Sequence, residues 1–237
     1  MTALITETAI ILAGGLGNRI KDTLGDLPKS MADINGKPLL AYILRNLKQQ
    51  GISHIILAVG HRHEPILDYF GQNYEGMQVS YSVEEEPLGT GGAMKKAFSL
   101  AGPVAFVLNG DTYFDADLKS LYEQHVKSGA VISIALKPMK DFDRYATVQI
   151  DETGRIKGYK ENQPTASGTI SGGIYVIDRS VFENKDLGDK FSFETDIMES
   201  TYQELPFFGF SFDTYFIDVG IPQDYERAKD ELTGIDH

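Results

Sequence analysis

The chain has 237 residues, 42% of them hydrophobic, which suits one generous domain with a filled core. Its 34 acidic against 22 basic side chains leave a net charge of −12, which argues against nonspecific nucleic-acid binding. Cysteine is absent, so disulfides and thiolate metal centres are excluded and a reducing compartment is compatible; the expected setting is cytoplasmic.

Before the first apolar run stands Glu7 and no basic stretch, so no signal peptide is expected. No apolar run approaches the ~20 residues of a membrane span, and no membrane partner is expected. Residues 9–13, 54–60, 78–83 and 104–108 read as strands, and residues 38–50, 64–70, 91–100 and 118–128 as helices between or after them. Leu39, Ile43, Leu44 and Leu47 recur at helical spacing and mark a core-facing stripe. Such alternation predicts an α/β, Rossmann-like, doubly wound and mostly parallel sheet. Beyond residue 130, strands at 131–136, 146–151 and 169–177 have little helix between them and read as an appended mixed or antiparallel portion. Residues 222–232 close the chain as a helix, with Pro222 suited to its first turn. The expectation is a single domain over residues 1–237, divided near residue 130.

The first strand empties into Gly14-Gly15-Leu16-Gly17-Asn18-Arg19, and Pro28-Lys29 follow. A dinucleotide loop would need a third glycine where Ile20 stands, and an acidic residue ending the second strand, where Gly60 stands. A Walker loop would need Gly-Lys-Ser/Thr where Gly17-Asn18-Arg19 stand. What remains is an anion cradle of glycine amides with Arg19 as a forked cation and Lys29 as a mobile point charge. Arg19, Lys21, Lys29 and Lys37 form a local cationic cluster that can override the acidic global field at short range. The plainer alternative is a tight strand-to-helix turn with two solvated cations.

Three motifs follow strand ends and converge on one edge of the sheet: this loop, residues 84–92 and Asn109-Gly110-Asp111. Alone, Asp111 reads as part of a reverse turn, and Asp218 as a strand-end aspartate. Beside a phosphate loop the pair meets the taste of magnesium for a few carboxylates plus phosphate oxygens and water. His61-x-His63 reads as a solvated loop rather than a metal site, and the phenylalanines at 207, 208, 210 and 212 as strand packing.

Leu12-Ala13-Gly14-Gly15-x-Gly17-x-Arg19 with Pro28-Lys29 resembles the signature of the sugar-1-phosphate nucleotidyltransferases. The likeness continues through residues 84–92, Asn109-Gly110-Asp111 and Ile217-Asp218-Val219-Gly220. Residues 142–145 and 191–194 look most like the D-glycero-α-D-manno-heptose 1-phosphate guanylyltransferases within that family. The resemblance implies GTP and a sugar 1-phosphate as partners, Mg2+ as cofactor, and Arg19 and Lys29 as catalytic cations. It implies nucleotide binding by Leu12, Ala13, Gly14, Gly15, Gly17, Glu84, Pro87, Gly89, Thr90 and Gly110, with Glu84 reading a guanine edge. It places Tyr145, Glu161, Asn162 and Gly173 around the sugar phosphate, and Asp111 and Asp218 on the metal. Asn162 stands where the family usually has lysine. A homo-oligomer is compatible with the resemblance. The alternatives are mannose, glucose or an amino sugar with another nucleotide, and a catalytically silent nucleotide-sugar-binding regulatory protein.

Overall fold

A computed structural model describes residues 6–15, 27–60, 62–183 and 187–235. Gly17, Arg19, Lys21 and His61 lie outside the described residues. In chain order come β1 (Thr8–Leu12), a small hairpin of β2 (Asp33–Ile34) and β3 (Lys37–Pro38), α1 (Leu39–Gln49) and β4 (His54–Val59). Next are α2 (Glu64–Phe70), β5 (Asn73–Tyr74), β6 (Met77–Val83), α3 (Gly89–Ala97), β7 (Val104–Asn109), β8 (Thr112–Phe114) and α4 (Leu118–Ser128). Then follow β9 (Ile132–Phe142), β10 (Thr147–Ile150), β11 (Ile156–Lys160), β12 (Thr165–Asp178) and a π-helical stretch, Phe193–Glu199. The last are β13 (Phe207–Ser211), β14 (Phe216–Asp218) and α5 (Pro222–Glu231).

β1 lies parallel between β4 and β7, and β6 lies parallel beyond β4. The chain therefore builds outward in one direction from β1, then returns to its other side. This reversal makes a crevice at the carboxyl ends of β1 and β7, the place where open α/β sheets receive ligands. Both faces are covered. Ile11, Leu57 and Leu108 pack in one layer with Leu40, Leu44 and Leu47 of α1, while Ile10, Ile56 and Val107 share the other with Met94, Ala97 and Phe98. That split follows from the two-residue side-chain period of a strand and explains why these strands read as unbroken apolar runs.

The second half is the expected mixed, largely antiparallel portion, and it is continuous with the central sheet. β12 runs 14 residues, pairs antiparallel with β7, and also pairs antiparallel with β9 and β10. One ten-stranded sheet results, with β13 joined in parallel to β9. The strand serves both parts because its register with β9 shifts between Ser171 and Tyr175, spanning Gly172 and Gly173. Gly173 has φ +74, and a Cβ there would come within 2.9 Å of the Asn109 amide nitrogen. Glycine is what lets the strand bend past β7 at that point.

Candidate active site

A cavity of about 410 Å³ opens at the β1–β7 crevice, within the range of small-molecule sites. Its lining joins Leu12, Ala13, Gly14 and Gly15 after β1, Lys29, Glu84 after β6, Gly89 and Thr90 of α3, and Gly110 and Asp111 after β7. Ten of the residues expected from sequence thus share one enclosure.

The glycines divide by task. A Cβ on Gly14 would lie 2.7 Å from the Gly60 nitrogen, and one on Gly110 would lie 2.7 Å from the Leu12 carbonyl oxygen. These two let neighbouring strand ends close on each other. Gly15 has no atom within 4 Å of the corresponding position, so it leaves room for a ligand. Gly89 combines φ +74 with a Cβ position 2.5 Å from the Phe191 carbonyl oxygen. It turns the chain into α3 where the 191–194 segment packs, and the Gly91 amide donates to that same oxygen at 3.1 Å.

Lys29 stands where the chain returns from the glycine loop: its amide donates to the Gly15 carbonyl at 3.4 Å. The buried hydroxyl of Ser30 donates to the Ala13 carbonyl at 3.2 Å and pins that return to the end of β1. The Lys29 ammonium sits 3.0 Å from Asp111 Oδ2. β14 pairs antiparallel with β8, setting Asp218 opposite Thr112, and the Val219 amide donates to the Asp111 carbonyl at 2.9 Å. Two short strands therefore bring together aspartates that are far apart in sequence.

Burial, then the negative charge of Asp111, lifts the Asp218 carboxyl to about 6, with Lys29 pulling the other way. Neighbouring carboxylates that repel each other are a donor set that a divalent cation fits. Among the described residues no third acidic or imidazole side chain completes a protein-only cage, which leaves coordination positions for phosphate oxygens and water. The Tyr145 hydroxyl donates to Asp218 Oδ2 at 3.2 Å, and burial followed by the Asp218 charge raises its pKa, so the proton stays on.

Glu84 is tied at both ends. Its amide donates to the Val59 carbonyl at 2.8 Å, and its Oε2 accepts from the Leu88 amide at 2.9 Å. The residues expected on the sugar side are more dispersed. Gly173 abuts Asn109, and Asn162 Nδ2 donates to the Arg144 carbonyl at 3.0 Å. Glu161 and Pro87 are exposed and do not line the cavity. His63 Nδ1 is 3.1 Å from the Gly60 carbonyl, a contact within its own loop. Phe207 is buried and Phe208 stacks on Phe210 within β13.

Five lining residues were given no site role from sequence: Ser30, Ala58, Ala93, Asn109 and Glu194. Glu194 belongs to the π-helical stretch, an irregularity common at functional sites. Its Oε2 accepts from the hydroxyls of Thr90 at 2.6 Å and Ser192 at 2.9 Å. Residues 191–194 were marked by family likeness, a signal that could have drawn Glu194 into the site.

Known proteins resemble this chain over nearly its whole length. The family model described as nucleotidyl transferase matches residues 8–234. The D-glycero-alpha-D-manno-heptose 1-phosphate guanylyltransferase of Aneurinibacillus thermoaerophilus is 47% identical over 225 residues, 94% of this chain and 97% of that one. Its counterpart from Campylobacter jejuni is 46% identical over 217 residues, 92% and 96% of the two chains. The crystal structure of HddC from Yersinia pseudotuberculosis complexed with GMP-PN superposes with a TM-score of 0.85 at 35% identity, covering 95% of this chain and 99% of that one.

Proposed function

Because this chain belongs to the nucleotidyl transferase family, we propose that it joins GTP to D-glycero-α-D-manno-heptose 1-phosphate, yielding the GDP-heptose and pyrophosphate. The observation that carries this reading is the cavity at the β1–β7 reversal, with its glycine wall, Lys29 and Asp111, and with Asp218 brought beside it by β14, in a chain 46–47% identical to two heptose guanylyltransferases.

A phosphate oxygen of the sugar 1-phosphate attacks the α-phosphorus of GTP in line. A new phosphorus–oxygen bond forms as the bond to the β-phosphate oxygen breaks, and pyrophosphate leaves. The attacking phosphate is already ionised, so the site needs no general base; positioning and charge neutralisation supply the rate. Asp111 and Asp218 would hold a divalent cation, magnesium, which when bound neutralises phosphate charge and orients the reacting oxygens. Lys29, drawn from Asp111 by the triphosphate, stabilises charge near the α-phosphate. Arg19 receives the leaving β,γ-phosphates. Gly14 and Gly15 bring main-chain amides to the phosphates. Gly89 and Thr90 form the floor under the base, and Glu84 accepts the adjacent N–H donors of guanine. Tyr145, Glu161, Asn162 and Gly173 mark the sugar side, so residues 1–130 carry the nucleotide and residues 131–237 the sugar within one catalytic unit. Among the described residues no helix is long and apolar enough to cross a membrane, and a cytoplasmic site of action accords with the absence of cysteine.

The test is a matrix of four nucleoside triphosphates and dTTP against heptose, mannose, glucose and amino-sugar 1-phosphates, scored by pyrophosphate release. The expected maximum is GTP with the heptose phosphate. Equal turnover with GTP and dTTP would refute the role of Glu84, and no release with any pair would refute the enzyme.

A further inference from the structure

One chain of hydrogen bonds runs from the closing helix to Asp218. Asp224, in the first turn of α5, is only 6% exposed and accepts from two guanidinium groups: Arg227 Nη1 at 3.0 Å and Arg144 Nη2 at 2.5 Å. Arg144 Nη2 also donates to the Tyr145 hydroxyl at 3.1 Å, and its guanidinium carbon lies 5.2 Å from the Tyr145 ring centre. The Tyr145 hydroxyl in turn donates a hydrogen bond to Asp218 Oδ2. From the other side, the Asn162 amide holds the Arg144 carbonyl. The links join three stretches of sequence: Arg144 and Tyr145, Asn162, and residues 218–227.

We infer that Arg144, Tyr145, Asp224 and Arg227 form a positioning relay that fixes the Asp218 carboxylate for its cation. Asp218 needs such a device because it ends a strand of only three residues, and Gly220 after it adds no side chain to confine the carboxylate. A hydroxyl that accepts from a cation donates more strongly, so Arg144 strengthens the bond to Asp218. One carboxylate oxygen, Oδ2, is thereby held in place. Asp224 shares its charge between two arginines, and Arg227 also pairs with Glu231, so Arg144 is the cation of the cluster nearest the acidic pair. Groups that orient a metal-bound carboxylate change metal affinity or activity by about 10–100-fold when lost. The relay rests on the proposed roles of Asp111 and Asp218, although its measurement does not require the heptose assignment.

The test titrates Mn2+, in the presence of saturating inorganic pyrophosphate, into wild type, Tyr145→Phe, Asp224→Asn and the double variant, read by electron paramagnetic resonance. Steady-state pyrophosphate release is measured beside it, and thermal melts confirm folding. Tyr145→Phe keeps the ring that packs edge-on to Phe216 and loses only the hydroxyl. The expected result is about ten-fold weaker Mn2+ binding and about ten-fold lower kcat, with the KM for GTP within about two-fold. Links in series predict that the double variant loses no more than the worse single one. Should Asp224→Asn unfold, Arg144→Lys with Tyr145→Phe completes the cycle. Unchanged Mn2+ affinity in Tyr145→Phe, multiplicative losses in the double variant, or no Mn2+ binding by wild type overturns the relay. Intact Mn2+ behaviour with no pyrophosphate release would overturn the proposed reaction alone.

Discussion

The site joins two walls built on different principles: one lines the cavity, and the other begins at Asp218, outside the cavity lining. The wall made by β1, β6 and β7 is largely main chain: strand ends close on each other through Gly14 and Gly110 and leave Gly15 open. The wall reached through Asp218 is a lattice of side chains, Tyr145, Arg144, Asp224 and Arg227, tied by hydrogen bonds over as many as 80 positions of sequence. A backbone wall tolerates little change in shape but is indifferent to side-chain identity elsewhere. A side-chain wall can be retuned one residue at a time.

Lys29 is the one described cation lining the cavity, so it should dominate. Lys29→Ala should lower kcat by about 10²–10³-fold, measured by pyrophosphate release. Its loss should hardly alter the melting temperature, because the pair with Asp111 is partly exposed. Undiminished turnover would mean that the backbone wall works without a cationic side chain. The next effect is steric. Gly110→Ala should cost about 1–3 kcal/mol in urea unfolding, because the new Cβ meets the Leu12 carbonyl. Gly15→Ala should stay within about 0.5 kcal/mol of wild type while raising the KM for GTP. If both unfold alike, the division of the glycines by task is wrong.

Outside both walls, the core should show itself in pH. His125 on α4 is 5% exposed, with Nδ1 2.9 Å from Ser133 Oγ of β9, and burial lowers its pKa to about 4, with Asp178 opposing. The unfolded chain takes up this proton near pH 6.5 and the folded one only near 4. Stability is therefore full above about 6.5 and falls as the pH drops toward 4, by about 2 kcal/mol between pH 7 and 5. Urea titrations of wild type and His125→Asn should differ in that window, and identical slopes would remove His125 as the cause. The smallest change belongs to Asn162. Losing one exposed amide bond to Arg144 should raise the KM for sugar phosphate by about three-fold or less. A larger loss would make Asn162 a ligand-binding group.

The backbone wall was legible in the sequence because its devices are local. Glycines, a proline-lysine step and apolar strands announce themselves within a few residues, and the helices over residues 38–50 and 118–128 appear within a residue or so of those bounds. The helix expected from residue 91 starts at Gly89, since the positive φ there opens it earlier. The side-chain wall was half legible. Asp111 and Asp218 were expected together, yet nothing local announces that Arg144 finds Asp224 or that Lys29 finds Asp111. The reach of β12 was hidden for the same reason: a long strand with a glycine bend looks like two short ones until its partners are known.

That strand also decides what can be cut. β7 is flanked by β1 on one side and β12 on the other, and its interior is fully buried. A fragment ending near residue 130 would strip β12 away and leave β7 as a bare apolar edge, open to pairing with any other strand. The nucleotide and sugar portions can be distinguished by the ligands proposed for them, but they would not survive as separate soluble pieces. Expression of the first part alone should give aggregates, and adding the second part in trans should succeed only if it restores that edge before self-association does.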